Sequence, residues 1–325
     1  MAVPFVPTIY EHAAALIGRT PAETARSEDL LVEGQIAAFE RYRHPLVSVG
    51  LDIYNIEAEA LGGTVDFRND GSLPSFKSTL IQTAADFQAL EVPNPLTDGR
   101  IPILLSACRR LKAALPAAVS GTVTGPFTLA AIIRGFEAFT MDMYDDPPFA
   151  REQLRFAAEV SFAIAAAYHE LGVGIAINES WIAPPLCTPD MYREFAQPAE
   201  TDLITRLTAI GIPRIALVCG GNTTLIAKDM LATGTSYIMA DWGCDRRAIR
   251  SLCEKRGVML RASVSPGMVE RGDEAELSAA VKQVMADCGG YPHFVFGCGI
   301  VSYNTPPENV LLLKKLIEGE HKEAA

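Results

Sequence analysis

The fold this sequence predicts is a (β/α)8 barrel, and three observations predict it. Eight apolar runs of strand length are spread along 325 residues, and longer helical patterns separate them. Neither a G-x-G-x-x-G loop nor a Walker loop occurs, which lowers the weight of a dinucleotide or nucleotide enzyme on an open doubly wound sheet.

In chain order the runs are 5–10, 46–51, 118–124, 174–178, 214–219, 236–241, 258–264 and 293–296. Helical patterns such as 148–171, 189–209 and 274–287 lie between them. The stretch 61–95 interrupts the alternation, and its GGTVDFRNDGSLPSF reads as a short hairpin inserted after the second strand. After the last run comes a tight turn, Gly297-Cys298-Gly299, then a polar connection and a helix start at Thr305 with Pro306 and Pro307 in its first turn. Only the final EGEHKEAA reads as frayed, so residues 1–325 are expected to form one domain.

Composition narrows the function. With 49% hydrophobic residues the chain can bury a large core. A net charge of −11 with no basic face argues against nucleic acid as a partner. No apolar run approaches the roughly 20 residues of a membrane span, and the N-terminus lacks a secretory pattern, so a cytoplasmic location is expected. The seven cysteines are odd in number and widely spread, which reads as reduced thiols in a chain that needs no disulfide staples.

In a barrel, chemistry sits at the C-terminal ends of the strands. Those ends carry Tyr10, Glu11 and His12, then Asp52 and Asn55, Gly125, Asn178 and Glu179, Cys219, Asp241 and Trp242, Arg261 and Ser263, and Cys298. Several readings stay open for them. Cys219 and Cys298, at the fifth and eighth strand ends, converge on a metal such as Zn²⁺ or are separate core thiols. Glu179 is a third ligand, a general base or a capping carboxylate. Asp52 belongs to the site or caps the helix after it. Arg261 needs a counter-charge, either Asp241 or an anionic substrate. His12 packs in its helix or ligates metal.

Several segments together resemble the uroporphyrinogen decarboxylase superfamily, which includes cobalamin-dependent methyltransferases. They are LDI at 51–53 with EAEALG at 57–62, TGPFTLA at 124–130, ADW at 240–242, SVSP at 263–266 and GCGIVSYNTPPENV at 297–310. The resemblance covers nearly the whole chain and implies the same (β/α)8 barrel. Departures point away from porphyrinogen decarboxylation. TIYEHAAALIG lacks the arginines that hold a porphyrinogen's many carboxylates, Cys298 replaces the histidine of G-H-G, and VCGG replaces the cysteine-free F-x-K-G.

The methyltransferase branch is more similar, with its H-x-C-G-N-T and G-C-G segments binding a thiol-activating zinc. Here LVCGGNTT supplies Cys219, and Cys298 matches the second thiolate, but Leu217 stands at the histidine position. The resemblance therefore implies a zinc-dependent methyltransferase working between a corrinoid (cobalamin) on a partner protein and a small-molecule methyl donor or thiol acceptor. Its metal ligands would be Cys219, Cys298 and Glu179. Asp52, which matches the decarboxylases' catalytic aspartate, and Arg261 would orient substrate. The alternatives are a metal-free decarboxylase-like lyase on a smaller acid, with Asp52 handling the proton, and a non-catalytic corrinoid- or tetrapyrrole-binding protein.

Overall fold

A computed structural model describes residues 3–323 apart from Leu51 and Ile53; the last residue of the second expected strand and the two apolar positions of LDI therefore lie outside the described residues. The strands are β1 (Leu46–Val49), β2 (Val65–Asp66), β3 (Ser75–Phe76), β4 (Ala118–Thr124), β5 (Gly174–Glu179), β6 (Ile215–Cys219), β7 (Tyr237–Ala240), β8 (Met259–Val264) and β9 (Phe294–Cys298). Seven of them form one parallel sheet in the order β1-β4-β5-β6-β7-β8-β9. Helices cover its outer face, as parallel βα units require. The remaining pair, β2 and β3, is the expected hairpin, a two-residue antiparallel ladder with Val65 opposite Phe76.

The eighth place in the barrel is less regular than expected. Residues 5–10 form no continuous strand; parallel bridges join Phe5 to Phe296 and Thr8 to Ile300. Pro4 and Pro7 explain this, because a prolyl nitrogen has no proton to give a ladder. The amide of Val6 still donates to the Phe296 carbonyl at 2.8 Å, so the segment lies along β9. Val6, Thr8 and Tyr10 line the same central cavity as Leu46 and Ser48 of β1, which curls the sheet round a bore.

Strand alternation decides what enters that bore. On β6, Ala216 and Val218 line the cavity, whereas Ile215, Leu217 and Cys219 are buried in the layer between sheet and helices. On β7 and β8 the inward set is Tyr237, Met239, Met259 and Arg261, and the outward set is Ile238, Ala240, Leu260, Ala262 and Val264.

The helix expected over 148–171 runs Pro147–Glu170, with Asp146 accepting from the Phe149 amide as its cap. That expected over 189–209 is broken into Pro189–Met191, a π-helical turn Tyr192–Ala196, and Gln197–Ala209. The break lies just ahead of Pro198, which cannot donate to the preceding turn. Among the described residues no helix is long and apolar enough to cross a membrane.

Gly121 shows how tightly the helix layer is seated. A Cβ there would lie 2.5 Å from the ring of Tyr168, which is fully buried on Pro147–Glu170. Gly121→Ala must displace that ring, a form of overpacking that costs about 1–3 kcal/mol. The melting temperature is expected to fall by several degrees, and an unchanged one would show that the ring can move aside.

Candidate functional site

The bore is a cavity of about 830 Å³, reaching from Leu46 and Arg214 at the N-terminal ends of the strands to Asp241, Trp242 and Ile300 at the mouth. Its polar lining is sparse and charged. Arg261 is the buried cation; its Nη2 donates to Thr8 Oγ1 at 2.6 Å and to the Cys298 carbonyl at 3.1 Å. Gly297 lies directly against it, and a Cβ there would be 2.2 Å from Nε. Asp241 follows β7 and accepts from the Gly221 amide through Oδ2 at 2.9 Å. Burial pushes its carboxyl above the usual range, and Arg261 partly opposes the shift. The two form no contact ion pair, so Asp241 is not the direct counter-charge of Arg261. Asn178, Tyr10, Tyr54 and Tyr237 add to the polar wall, with Ser48, Ser120, Ser180, Ser236 and His293.

A smaller cavity of about 500 Å³ adjoins the first, sharing Tyr54 and Ile300, and is lined by Glu11, Asp52, Asn55 and Trp181. Glu11 is buried, and desolvation pushes its carboxyl up to about 7. Asp52 borders this space, but both its oxygens are occupied. Arg100 donates Nη1 to Oδ1 at 2.9 Å and Nη2 to Oδ2 at 2.6 Å, while Asn55 adds a 3.3 Å bond and reaches the Pro74 carbonyl of the insertion. Arg100 also holds Glu59 and the Ala25 carbonyl. Asp52 thus does not cap the helix; it borders the smaller cavity with its charge answered by Arg100 in a two-pronged buried ion pair, and Asn55 beside it makes the bond to the insertion. Arg100 lies 48 residues away, so nothing local in the sequence could announce it.

Glu179 faces away from the bore. Phe127 N donates to its Oε1 at 3.0 Å, Thr128 N to Oε2 at 2.8 Å, and the Thr128 hydroxyl also donates to Oε2. These are free amides at the start of the helix Pro126–Arg134, so Glu179 seats that helix. Gly125 leaves room for it, since a Cβ there would lie 2.2 Å from the carboxyl carbon. His12 is packed as well, bonded to the Tyr42 hydroxyl at 2.7 Å and the Ser302 carbonyl at 3.2 Å, and burial lowers its pKa to about 4.

The expected ligands Cys219, Cys298 and Glu179 are brought together only in part. Glu179 and Cys219 are register partners on β5 and β6. Cys298 is three strands further round on β9, packed in a different apolar cluster with Phe294 and Phe296. Desolvation raises both thiols, that of Cys298 to about 11, so each is a neutral core cysteine as folded. Among the described residues no group of three or more His, Cys, Asp or Glu side chains could hold a metal ion. These residues do not fit a three-ligand zinc centre: Cys219 and Cys298 point outward in separate clusters, and the Glu179 oxygens are engaged by the helix.

Glu200 is a second buried acid, and no motif or spacing marks it out. Glu200 accepts from the Tyr192 hydroxyl at 2.5 Å, and its other oxygen has no protein partner. Burial raises both carboxyls, Glu179 to about 7 and Glu200 further, its shift increased by the Glu179 charge. With three donors on Glu179 and one on Glu200, Glu200 is the carboxyl that burial holds protonated.

Comparison with known proteins places this geometry. The family model described as uroporphyrinogen decarboxylase (URO-D) matches residues 2–319. The uroporphyrinogen decarboxylase of Anaeromyxobacter dehalogenans is 25% identical over 316 residues, covering 92% of this chain and 86% of that one. Among solved structures, a methyltransferase from Methanosarcina mazei superimposes with a TM-score of 0.86 at 22% identity, covering 98% of this chain and 94% of its own. A B12-independent methionine synthase from Shewanella sp. W3-18-1 gives 0.58 at 12% identity over 91% of this chain and 88% of its own.

The buried acid pair predicts a pH dependence. A carboxyl whose folded pKa is raised contributes its full stability below its unfolded value, and that contribution is lost as pH rises through the folded value. For Glu179 the window runs from its ordinary 4.5 to about 7, and Glu200 extends it upward. Glu200→Gln keeps an acceptor for Tyr192 but cannot ionise. Melting temperatures taken from about pH 5 to about pH 8 are expected to fall less steeply in Glu200→Gln than in the parent. Parallel profiles would show that the ionisation of Glu200 does not set the pH dependence.

Proposed function

Because the chain belongs to the uroporphyrinogen decarboxylase family, we propose an enzyme that works on a small molecule held in its bore: a methyltransferase moving a methyl group between that molecule and a corrinoid on a partner protein. The observation that carries this reading is the charge of the bore. Arg261 is its one buried cation among the described residues, and the other basic side chains on the cavity walls, Arg214 and Lys77, are exposed. A porphyrinogen's many carboxylates would go largely unanswered here, and Glu11 and Asp241 near the mouth would repel them. A small substrate with few charges matches the lining. The barrel shared with the Methanosarcina mazei methyltransferase accords with this choice.

The corrinoid supplies the cobalt that gives or accepts the methyl group; all else falls to this chain's residues. Arg261 and Asn178 would orient the substrate by donation, and Asp241 would hold a donor or cation on it near the mouth. Val218 and Met239 would keep water from the inner part of the substrate. Asp52, by holding Arg100, and Glu179, by holding the helix Pro126–Arg134, act as positioning residues.

A decarboxylase-like lyase is the second reading, favoured by the names of the curated relatives. In that reading Asp52 would handle the proton, but both its oxygens are taken by Arg100, which leaves Glu11, its carboxyl pushed up to about 7 by burial, as the acid for it. One assay separates the two. Protein is incubated with methylcobalamin and a panel of thiols or tetrahydrofolate, and loss of the methyl–cobalt absorbance is followed. CO2 release from uroporphyrinogen is measured in parallel. The expected result is acceptor-dependent demethylation, lowered about tenfold or more in Asp241→Asn, with no CO2 above background. CO2 release without demethylation would overturn the proposal in favour of the lyase. Tight corrinoid binding without turnover would overturn it in favour of a binding protein.

A further inference from the structure

Three buried polar atoms on residues lining the bore have no protein partner: Asp241 Oδ1, Asn178 Nδ2 and Arg261 Nε. Their residues are only 2%, 5% and 7% exposed, so each is more than nine-tenths buried. An unmet buried group costs about 1–3 kcal/mol, and three round one cavity make a costly wall unless something occupies it. The three differ in sign as well: one acceptor on an anion, one neutral donor and one donor on a cation.

Ladder register gives their layout. Asn178 pairs with Val218, Leu217 with Ile238, and Met239 with Arg261, so a single rung runs from Asn178 across the sheet to Arg261. Asp241 stands two residues beyond Met239, just past the end of β7 and about 6.6 Å further toward the mouth. The donors thus lie deeper and the carboxylate nearer the opening. Trp242, 49% exposed despite its size, directly follows Asp241, and the rings of Tyr10 and Tyr54 line the same cavity.

We propose that the bore binds a small zwitterion, with its carboxylate toward Arg261 and Asn178 and its ammonium, free or methylated, toward Asp241 among the rings of Tyr10, Tyr54 and Trp242. A simple anion would leave Asp241 unanswered, a simple cation would leave Arg261 and Asn178 unanswered, and a neutral apolar molecule would leave all three. Aromatic faces beside a carboxylate are a good environment for a methylated ammonium, whose charge is spread over methyl groups that make no hydrogen bonds. The assignment rests on the reading of the bore as a substrate site and names the substrate class; a methylated ammonium held there would present its methyl groups to the mouth.

Isothermal titration calorimetry tests this without any corrinoid. The probes are glycine, N,N-dimethylglycine, N,N,N-trimethylglycine and methionine, with acetate and tetramethylammonium as the separate charges. At least one zwitterion is expected to bind about tenfold or more tighter than either single-charge probe. Asp241→Asn is expected to weaken it by about tenfold or more while the melting temperature stays near that of the parent. Asn178→Ala is the second variant, expected to weaken the same zwitterion and acetate while tetramethylammonium binds as in the parent. The proposal is overturned if no zwitterion binds, if a single-charge probe binds as tightly, or if neither variant alters affinity. Zwitterion binding without methyl transfer would leave this inference standing and remove the reading of function. Methyl transfer from an uncharged donor with no zwitterion binding would do the reverse.

Discussion

The two-residue period of the barrel strands is the constraint on which the site depends. In a parallel sheet wrapped by helices, both faces are buried, so hydrophobicity alone does not show which side a residue takes. The alternation does. It turns Ala216 and Val218 of β6 into the bore and Cys219 out, Arg261 of β8 in and Val264 out, and buries Cys298 of β9 among the outer aromatic residues. A one-residue change of phase would exchange the chemistry of the two faces.

That alternation sorts the buried charges into two groups with different ends. Outside the sheet, charge is consumed by structure: Glu179 is spent on a helix start, and Glu200 accepts from the Tyr192 hydroxyl. At the rim, Asp52 is neutralised by Arg100, and Asn55, bonded to Asp52, ties the hairpin insertion to the barrel. Inside the bore, Asp241 and Arg261 face a common space without touching, and Asn178 has a donor to spare. Buried charge that the fold itself does not use is charge held for something else, and that contrast separates site from scaffold here.

Much of the fold was legible because strand-length apolar runs and helix starts are local signals. Residues 118–124 and 174–178 read correctly to within a residue, and the Gly-rich insertion read as a hairpin. Where a local signal met a backbone restriction it failed: Pro4 and Pro7 reduce the first strand to two bridges, and Pro198 follows a π-helical turn in what reads as one continuous helix. The site was less legible. Arg261, Asp241 and Asn178 were recognisable as strand-end polar residues, but a cysteine at a strand end reads the same whether it points in or out. Asp52 and Arg100, or Glu200 and Tyr192, meet only through tertiary packing that no spacing rule contains. Leu217, standing where the methyltransferases have histidine, faces outward on the same side as Cys219 and belongs to the apolar layer there.

The account stands or falls on the two thiols lying outside the bore in separate clusters. The direct measurement is the zinc content of protein produced in zinc-supplemented medium, for the parent and for Cys219→Ser and Cys298→Ser. Outward, neutral thiols predict zinc well below one ion per chain, with no difference among the three proteins. Stoichiometric zinc in the parent, lost in both variants, would contradict that arrangement and return the chemistry to the Gly-Cys-Gly turn.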